Sequence, residues 1–112
     1  MKKIALLLFT ILFAGCFSAK LIVPSQNDVD RVRLKFPNYT LSELNHGKAL
    51  FEQNCGRCHG LKNPSSRSED EWKQIVPRMS KKVNRKTEIL DAKAQEDILR
   101  YLITMNTAPN AK

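Results

Sequence analysis

The sequence predicts an all-α domain, because its apolar residues recur at helical spacing and its polar residues form helix-capping patterns. Trp72, Ile75, Val76 and Met79, for example, follow the i, i+3, i+4, i+7 spacing of one helix face. The sequence holds no alternating strand pattern and no internal repeat. We therefore expect a small bundle of three or four helices.

Each predicted helix begins at a capping residue, whose side chain accepts a hydrogen bond from the first turn. Three of the starts have the capping-box pattern, in which an acidic residue follows the cap by three positions. The starts are Ser25 with Asp28, Thr40 with Glu43, Ser68 with Glu71, and Asp91.

Prolines predict two helix ends, because proline cannot donate a backbone hydrogen bond. The first helix is expected to run to Phe36 and to end at Pro37. Pro77 is expected to kink or end the third helix, which would place Met79 at a helix end. Residues 80–88, which are basic and polar, are expected to form a surface loop.

The N-terminus has the layout of an export signal: two lysines, an apolar run and small residues before Cys16. A spanning helix needs roughly 20 apolar residues, and Lys20 interrupts the run too soon, although an uncleaved anchor is an alternative. We predict a signal peptide over residues 1–15, a tether over 16–24 and the domain over 25–112.

The residues before Cys16 resemble a bacterial lipobox, with Phe13 where leucine is conventional. The resemblance implies cleavage before Cys16 and lipidation of its thiol, so that a soluble domain is tethered to the periplasmic side of a bacterial membrane or to the cell surface. The alternative, ordinary cleavage after Ala19, would place the bulky Phe17 where a small residue is preferred.

The exported part of the chain is strongly basic. Without Lys2 and Lys3, 17 basic residues face 11 acidic ones, a net charge of +6. This charge favours acidic protein partners or an anionic membrane, and the sequence lacks the basic stripe with interleaved aromatics typical of nucleic-acid binding. Lys62, Lys81 and Lys82 are candidates for steering acidic partners, the alternative being an ordinary solvated surface.

The stretch CGRCHG carries the chemistry of the chain, and several ligands are compatible with it. A zinc site needs four ligands, and only His46 is left to join Cys55, Cys58 and His59. A thioredoxin-type redox pair belongs beside a βαβ pattern, which a helical chain lacks. Two structural cysteines beside a satisfied histidine are a further alternative.

C-x-x-C-H is also the attachment signature of c-type haem. Cys55 and Cys58, one helical turn apart, reach the two vinyl groups at one edge of the porphyrin and form two thioethers. His59 then offers its imidazole as the proximal ligand of the iron. Because no further set of ligands accompanies the motif, one covalently bound haem c is the cofactor that the sequence favours.

The chain resembles small monohaem c-type cytochromes of the class I type over about residues 40–105. Gly47, Phe51 and Cys55 are spaced by four, as in the first helix of that family, where the glycine admits the last helix and the aromatic packs there. Ile98 and Tyr101 would be their contacts on the last helix. The resemblance implies a cytochrome c-like bundle around one haem, which is attached outside the cytoplasm.

The resemblance also implies that Met79, 20 residues after His59, is the distal ligand of the iron. A thioether ligand favours ferrous iron and raises the reduction potential, as electron transfer requires. Met105 and His46 are alternative distal ligands, and an open coordination position is another.

Four further residues are candidates for supporting the haem. The family's proline, whose carbonyl accepts the proton of the axial histidine, corresponds to Pro64, and Trp72 is expected to pack on the haem or to bond a propionate. Arg57 and Arg78 are candidates for neutralising propionates. A turn proline, a core tryptophan and solvated surface arginines are the alternatives.

The sequence thus predicts a tethered single-electron carrier with acidic redox partners. It is expected to act on no small-molecule substrate, to bind no nucleic acid and to have no catalytic residues of its own. One alternative is the cytochrome subunit of a dehydrogenase or reductase complex. Another is a five-coordinate haem that binds gas or acts as a peroxidase, although no distal acid-base pair is evident.

Overall fold

The computed structural model describes residues 20–56 and 60–109, and within these ranges it contains four α-helices and no strand. The all-α class is therefore confirmed for this part of the chain. The helices are α1 (Gln26–Arg31), α2 (Leu41–Cys55), α3 (Glu69–Val83) and α4 (Ala92–Asn106), and a short 3₁₀ turn (Pro64–Ser66) precedes α3.

The four predicted helix starts are confirmed. At α2, the Thr40 hydroxyl accepts from the Glu43 N–H at 3.1 Å, and the Glu43 carboxylate accepts from the Thr40 N–H at 2.9 Å. The same reciprocal arrangement opens α3. At α1 the Asp28 carboxylate accepts from the Ser25 N–H at 2.8 Å, while the Asp28 N–H donates to the Ser25 backbone carbonyl at 3.1 Å. At α4 the Asp91 carboxylate accepts from the Ala94 N–H at 2.8 Å. The caps satisfy amides that have no partner within their helix.

The predicted end of the third helix was wrong. Helix α3 continues through Pro77 to Val83, so Met79 lies one turn inside the helix and only residues 84–91 form the following loop. Pro77 costs one backbone hydrogen bond, but it lies on the exposed side of the helix, where the freed carbonyl of the preceding turn can bind water. Burial of the opposite face, which includes Ser80, holds the helix together.

The predicted extent of the first helix was also wrong, since α1 ends at Arg31 rather than at Phe36. The Phe36 N–H still donates to the Val32 carbonyl at 2.8 Å, but the turns between them are not continuous with α1. Asn38, after Pro37, has φ of 63°, in the left-handed region that asparagine tolerates. The chain reverses there to enter α2.

Helix α4 is the centre of the bundle, because α1, α2, α3 and the 3₁₀ turn all pack against it. Its buried side chains include Ile98, Tyr101, Leu102 and Met105. These residues form one continuous core with Leu44 and Phe51 of α2, Trp72 and Val76 of α3, and Val29, Val32, Tyr39, Leu90 and Ala108.

Helices α3 and α4 form an antiparallel hairpin that has two distinct ends. At the loop end, the Asn84 amide donates to the Leu90 carbonyl at 2.7 Å and accepts from the Leu90 N–H at 2.8 Å. At the other end, the Asn106 amide donates to the Pro64 carbonyl at 3.1 Å, which fixes the last turn of α4 beside the start of α3.

The chain enters the described domain at this second end. Leu21 and Ile22, which belong to the predicted tether, are half-buried and pack against the core. Arg31 fastens α1 to α4 by donating to the Thr104 carbonyl at 2.6 Å and to the Asp28 carboxylate at 2.7 Å. The predicted signal peptide and Cys16 lie outside the described residues.

None of the helices within residues 20–56 and 60–109 has the length and apolar character needed to cross a membrane.

Candidate functional site

The site is framed by the crossing of α2 and α4, which meet at Gly47. A Cβ atom on Gly47 would lie 2.2 Å from the Asp97 carbonyl oxygen and 2.9 Å from the Cβ of Tyr101. The backbone of α4 thus occupies the space that any side chain at this position would need. One turn further along α2, the Phe51 ring lies 5.7 Å from the Tyr101 ring and 6.3 Å from the Trp72 ring.

Cys55 is the last residue of α2, one turn beyond Phe51, and its half-buried side chain packs against the core. Burial raises the pKa of its thiol from 9.0 to about 11. A thiolate ligand would have to be generated against this desolvation, whereas a thioether carries no charge. The surroundings of Cys55 therefore fit covalent attachment to an apolar group such as the edge of a haem.

The described residues on either side of residues 57–59 lie close together. Gly56 ends α2 with helical φ and ψ, and a Cβ atom placed there would lie 3.2 Å from the Leu61 side chain. Leu61 is half-buried and packs against the core. Cys58 and His59, together with Arg57, lie outside the described residues.

The carbonyl of Pro64 joins the 3₁₀ turn to both helices of the hairpin. It accepts from Trp72 Nε1 at 2.8 Å and from the Asn106 amide at 3.1 Å. These two donors match the two lone pairs of a carbonyl oxygen. The predicted bond from His59 to Pro64 stays a prediction, and it would have to be made in competition with Trp72 and Asn106.

The three candidates for the distal ligand lie in different parts of the fold. Met79 is half-buried on α3, seven residues after Trp72 and therefore on the same face of the helix. Met105 is buried near the other end of the hairpin, where it lines a small cavity with Ile22 and Tyr101. His46 is exposed and lies beside Asp97, with 3.2 Å between its Nδ1 and the carboxylate.

These placements distinguish Met79 from Met105 and His46, the two alternative distal ligands. Met105 packs as a core residue beside the entry of the chain, and His46 lies at the outer rim of the α2–α4 crossing. Met79 shares the face of α3 that carries Trp72, which packs on Phe51 one turn before Cys55.

Two asparagines that hold the site were not predicted. Asn84 closes the α3–α4 loop and Asn106 binds the carbonyls of Pro64 and Arg67. Both act on backbone groups that are distant in the sequence or in an irregular loop, and such bonds have no spacing signature. Arg100 was also missed; its guanidinium lies 5.3 Å from the Phe36 ring and 5.8 Å from the Tyr39 ring.

Among the described residues, no three His, Cys, Asp or Glu side chains are grouped so that they could hold a metal ion. No family model, curated protein or solved structure matches this chain.

Proposed function

We propose that this chain is a monohaem c-type cytochrome that carries single electrons outside the cytoplasm, held at a membrane by a lipid on Cys16. The observation that carries the proposal is the position of the C-x-x-C-H motif. It starts at Cys55, the last residue of the helix whose Gly47 fits against the backbone of α4. This arrangement supports the cytochrome c-like fold that the resemblance implies.

The residues that would hold the haem are Cys55 and Cys58 through thioethers, His59 as proximal ligand and Met79 as distal ligand. Bound haem would supply a one-electron couple at its iron. The chain would contribute an apolar setting for the Cys55 attachment, and His59 and Met79 would bind the iron in both oxidation states. Because the same two residues would hold the iron throughout, little of the protein would have to rearrange during one-electron transfer.

A five-coordinate haem is the second candidate, and the position of Met79 is the observation in its favour. Because Met79 lies inside α3 rather than at the end of the helix, the backbone cannot turn to aim its side chain at the iron. Ligation then depends on the side chain alone, whose three rotatable bonds give methionine unusual reach. The two candidates differ in the spectrum of the oxidised protein.

The test begins with the full chain produced in a bacterium that matures c-type cytochromes. We expect one haem per chain that survives denaturation, and we expect Cys58→Ser to lose the two-thioether signature in the pyridine haemochrome spectrum. Cys16→Ser is the matched control, since it should retain the haem and leave the membrane fraction. A wild-type chain without covalent haem would contradict the proposed function.

The distal ligand is then tested by near-infrared spectroscopy of the oxidised protein. The wild type is expected to show the band that arises from thioether-to-iron ligation, and Met79→Ala should lose it together with a large fall in reduction potential. Met105→Ala should keep the band, because Met105 packs in the core. High-spin bands in the wild type would instead establish the five-coordinate candidate.

A further inference from the structure

The carbonyl oxygen of Pro64, a buried residue, already has two hydrogen-bond donors. Trp72 Nε1 donates to it at 2.8 Å from α3, and the side-chain amide of Asn106 donates to it at 3.1 Å from the last residue of α4. A carbonyl oxygen has two lone pairs, so both are used. A third donor would therefore have to displace Trp72 or Asn106.

The 3₁₀ turn also fixes the direction of this oxygen. The Pro64 carbonyl and the Ser65 N–H belong to one planar peptide group. The Asn63 side chain accepts from the Ser65 N–H at 3.1 Å, and the Asn63 backbone carbonyl accepts from the Ser66 N–H at 2.9 Å. The peptide group cannot rotate towards another donor without breaking the bond to the Asn63 side chain. The oxygen therefore stays directed at the two donors it has.

Asn106 is the donor whose role is not explained by packing in the core. Trp72 is 3% exposed, and its ring packs on Phe51. Asn106 is half-buried, and its amide nitrogen donates to the carbonyls of Pro64 and Arg67, at the start of the 3₁₀ turn and just after its end. The two hydrogens of the amide match these two acceptors. Loss of this amide would free a lone pair on the Pro64 oxygen while the core stays in place.

The occupied carbonyl bears on the proximal ligand of the proposed haem. A histidine that binds a metal usually donates its other ring N–H to a carbonyl, a carboxylate or water, and this bond raises the basicity of the imidazole. The resemblance to c-type cytochromes makes Pro64 the expected acceptor for His59, but its two lone pairs are already used. An imidazole without that acceptor donates less strongly to the iron, which favours the ferrous state.

We propose that Asn106 is a positioning residue that keeps the Pro64 carbonyl from His59 and thereby raises the reduction potential of the haem. This inference rests on the proposed function, because it requires His59 as the proximal ligand. Trp72 fills the other lone pair of the same oxygen, so its Nε1 acts in the same direction. Both axial positions would then favour ferrous iron, Met79 through its thioether and His59 through weaker donation.

The first test is the one-electron reduction potential of the haem-loaded full chain, measured by redox titration in neutral detergent. In Asn106→Ala a lone pair of the Pro64 oxygen becomes free for His59. We expect the equilibrium constant for reduction to fall about tenfold, which corresponds to a decrease of about 59 mV for one electron. Trp72→Phe should also lower the potential, because it removes the other donor and keeps an aromatic ring.

Asn84→Ala is the matched control, at the opposite end of the hairpin. The Asn84 amide also donates to a backbone carbonyl, that of Leu90, and it accepts from the N–H groups of Ile89 and Leu90. Its loss should therefore destabilise the hairpin at least as much. We expect its equilibrium constant for reduction to stay within about twofold of the wild-type value. An equal fall in Asn84→Ala would overturn the proposal, because loss of stability alone would then explain the shift.

Nuclear magnetic resonance separates a new hydrogen bond from the entry of water. The chain has two histidines, so ¹⁵N-histidine labelling of the reduced protein gives a simple spectrum, which His46→Gln assigns. In Asn106→Ala we expect the Nδ1 proton of His59 to exchange with water about tenfold more slowly than in the wild type, because it gains the Pro64 carbonyl as acceptor. Faster exchange together with a lower potential would mean that water has reached the haem, and the proposal would then be wrong.

Haem content separates this inference from the proposed function. A wild-type chain without covalent haem contradicts the proposed function. A haem-loaded chain in which neither Asn106→Ala nor Trp72→Phe changes the potential or the exchange rate contradicts only the role of Asn106. If Asn106→Ala does not accumulate, Trp72→Phe decides between the same two results.

Discussion

The crossing of α2 and α4 differs from the face of α3 in how completely its side chains are buried. At the crossing, backbone meets backbone at Gly47, and Tyr101 and Ile98 are 1% exposed. On α3, Trp72, Val76 and Ser80 are buried, but the flanking side chains of Ile75, Met79 and Val83 are only half-buried. The comparison indicates a rigid frame that the protein completes by itself and an adjacent surface whose burial the protein leaves incomplete.

Gly47→Ala is expected to cause the largest loss of stability, because it changes the α2–α4 crossing itself. Alanine has the higher helix propensity by about 1 kcal/mol, but its methyl group would overlap the Asp97 carbonyl oxygen. Because both atoms belong to packed helices, the crossing must open, and we expect a net loss of about 3 kcal/mol in the free energy of unfolding. Denaturant unfolding of the haem-loaded wild type and variant measures this loss.

Gly56→Ala is the control for that substitution. Its added methyl would lie 3.2 Å from the Leu61 side chain, which can move, and 3.2 Å from the Glu52 carbonyl oxygen, a full 1 Å further than the backbone oxygen that Gly47→Ala would meet. We expect a change within about 1 kcal/mol. Similar losses in the two variants would show that the crossing is less tightly constrained than its geometry indicates.

The attachment of α1 to the frame should depend on pH through Asp28. Burial alone would raise the pKa of Asp28, but hydrogen bonds from Arg31 and Ser25 hold it below its ordinary value of 3.8. A lowered folded-state pKa means that this stabilisation is present above pH 3.8 and is lost as the pH falls through the folded-state value. Thermal unfolding between pH 2 and pH 7 should show the loss.

Asp28→Asn should remove that pH-dependent component and cost about 1.5 kcal/mol at neutral pH. The matched control is Asp30→Asn, because the exposed pair of Asp30 with Arg33 is solvated and should contribute nothing measurable. A wild-type pH profile that Asp28→Asn leaves unchanged would contradict this assignment.

The smallest effect is expected where the two regions join, at Trp72. Trp72→Phe keeps an aromatic ring beside Phe51 but removes the donor to the Pro64 carbonyl, which retains Asn106. We expect a loss of about 1 kcal/mol. Asn106→Ala in the same chain should cost more than the sum of the single changes, because the buried carbonyl would then have lost both of these donors. Strict additivity in denaturant unfolding would show that the two donors act independently.

The frame was largely predictable from the sequence, because it depends on local signals. The caps at Thr40 and Asp91 and the helical spacing of Gly47, Phe51 and Cys55 can all be recognised from residues close together in the sequence. The continuation of α3 through Pro77 was not predictable from such local signals, because burial of the opposite face of the helix outweighs the local preference of proline to end a helix.

The support of the candidate site was less predictable than the frame. Pro64 and Trp72 were selected as single residues, but the bond between them, and the second donor from Asn106, depend on how the hairpin folds back on the 3₁₀ turn. A sequence motif identifies the chemical groups, whereas the bonds that position them join residues up to 42 positions apart.

The packing of Leu21 and Ile22 on the core also determines how the proposed carrier would search for its partners. If these residues were a free linker, the domain could take many orientations and distances relative to the bilayer. With Leu21 and Ile22 packed on the core, a lipid on Cys16 would instead hold the domain close to the bilayer surface. Its partners would then be met laterally, at a rate set by how crowded that surface is.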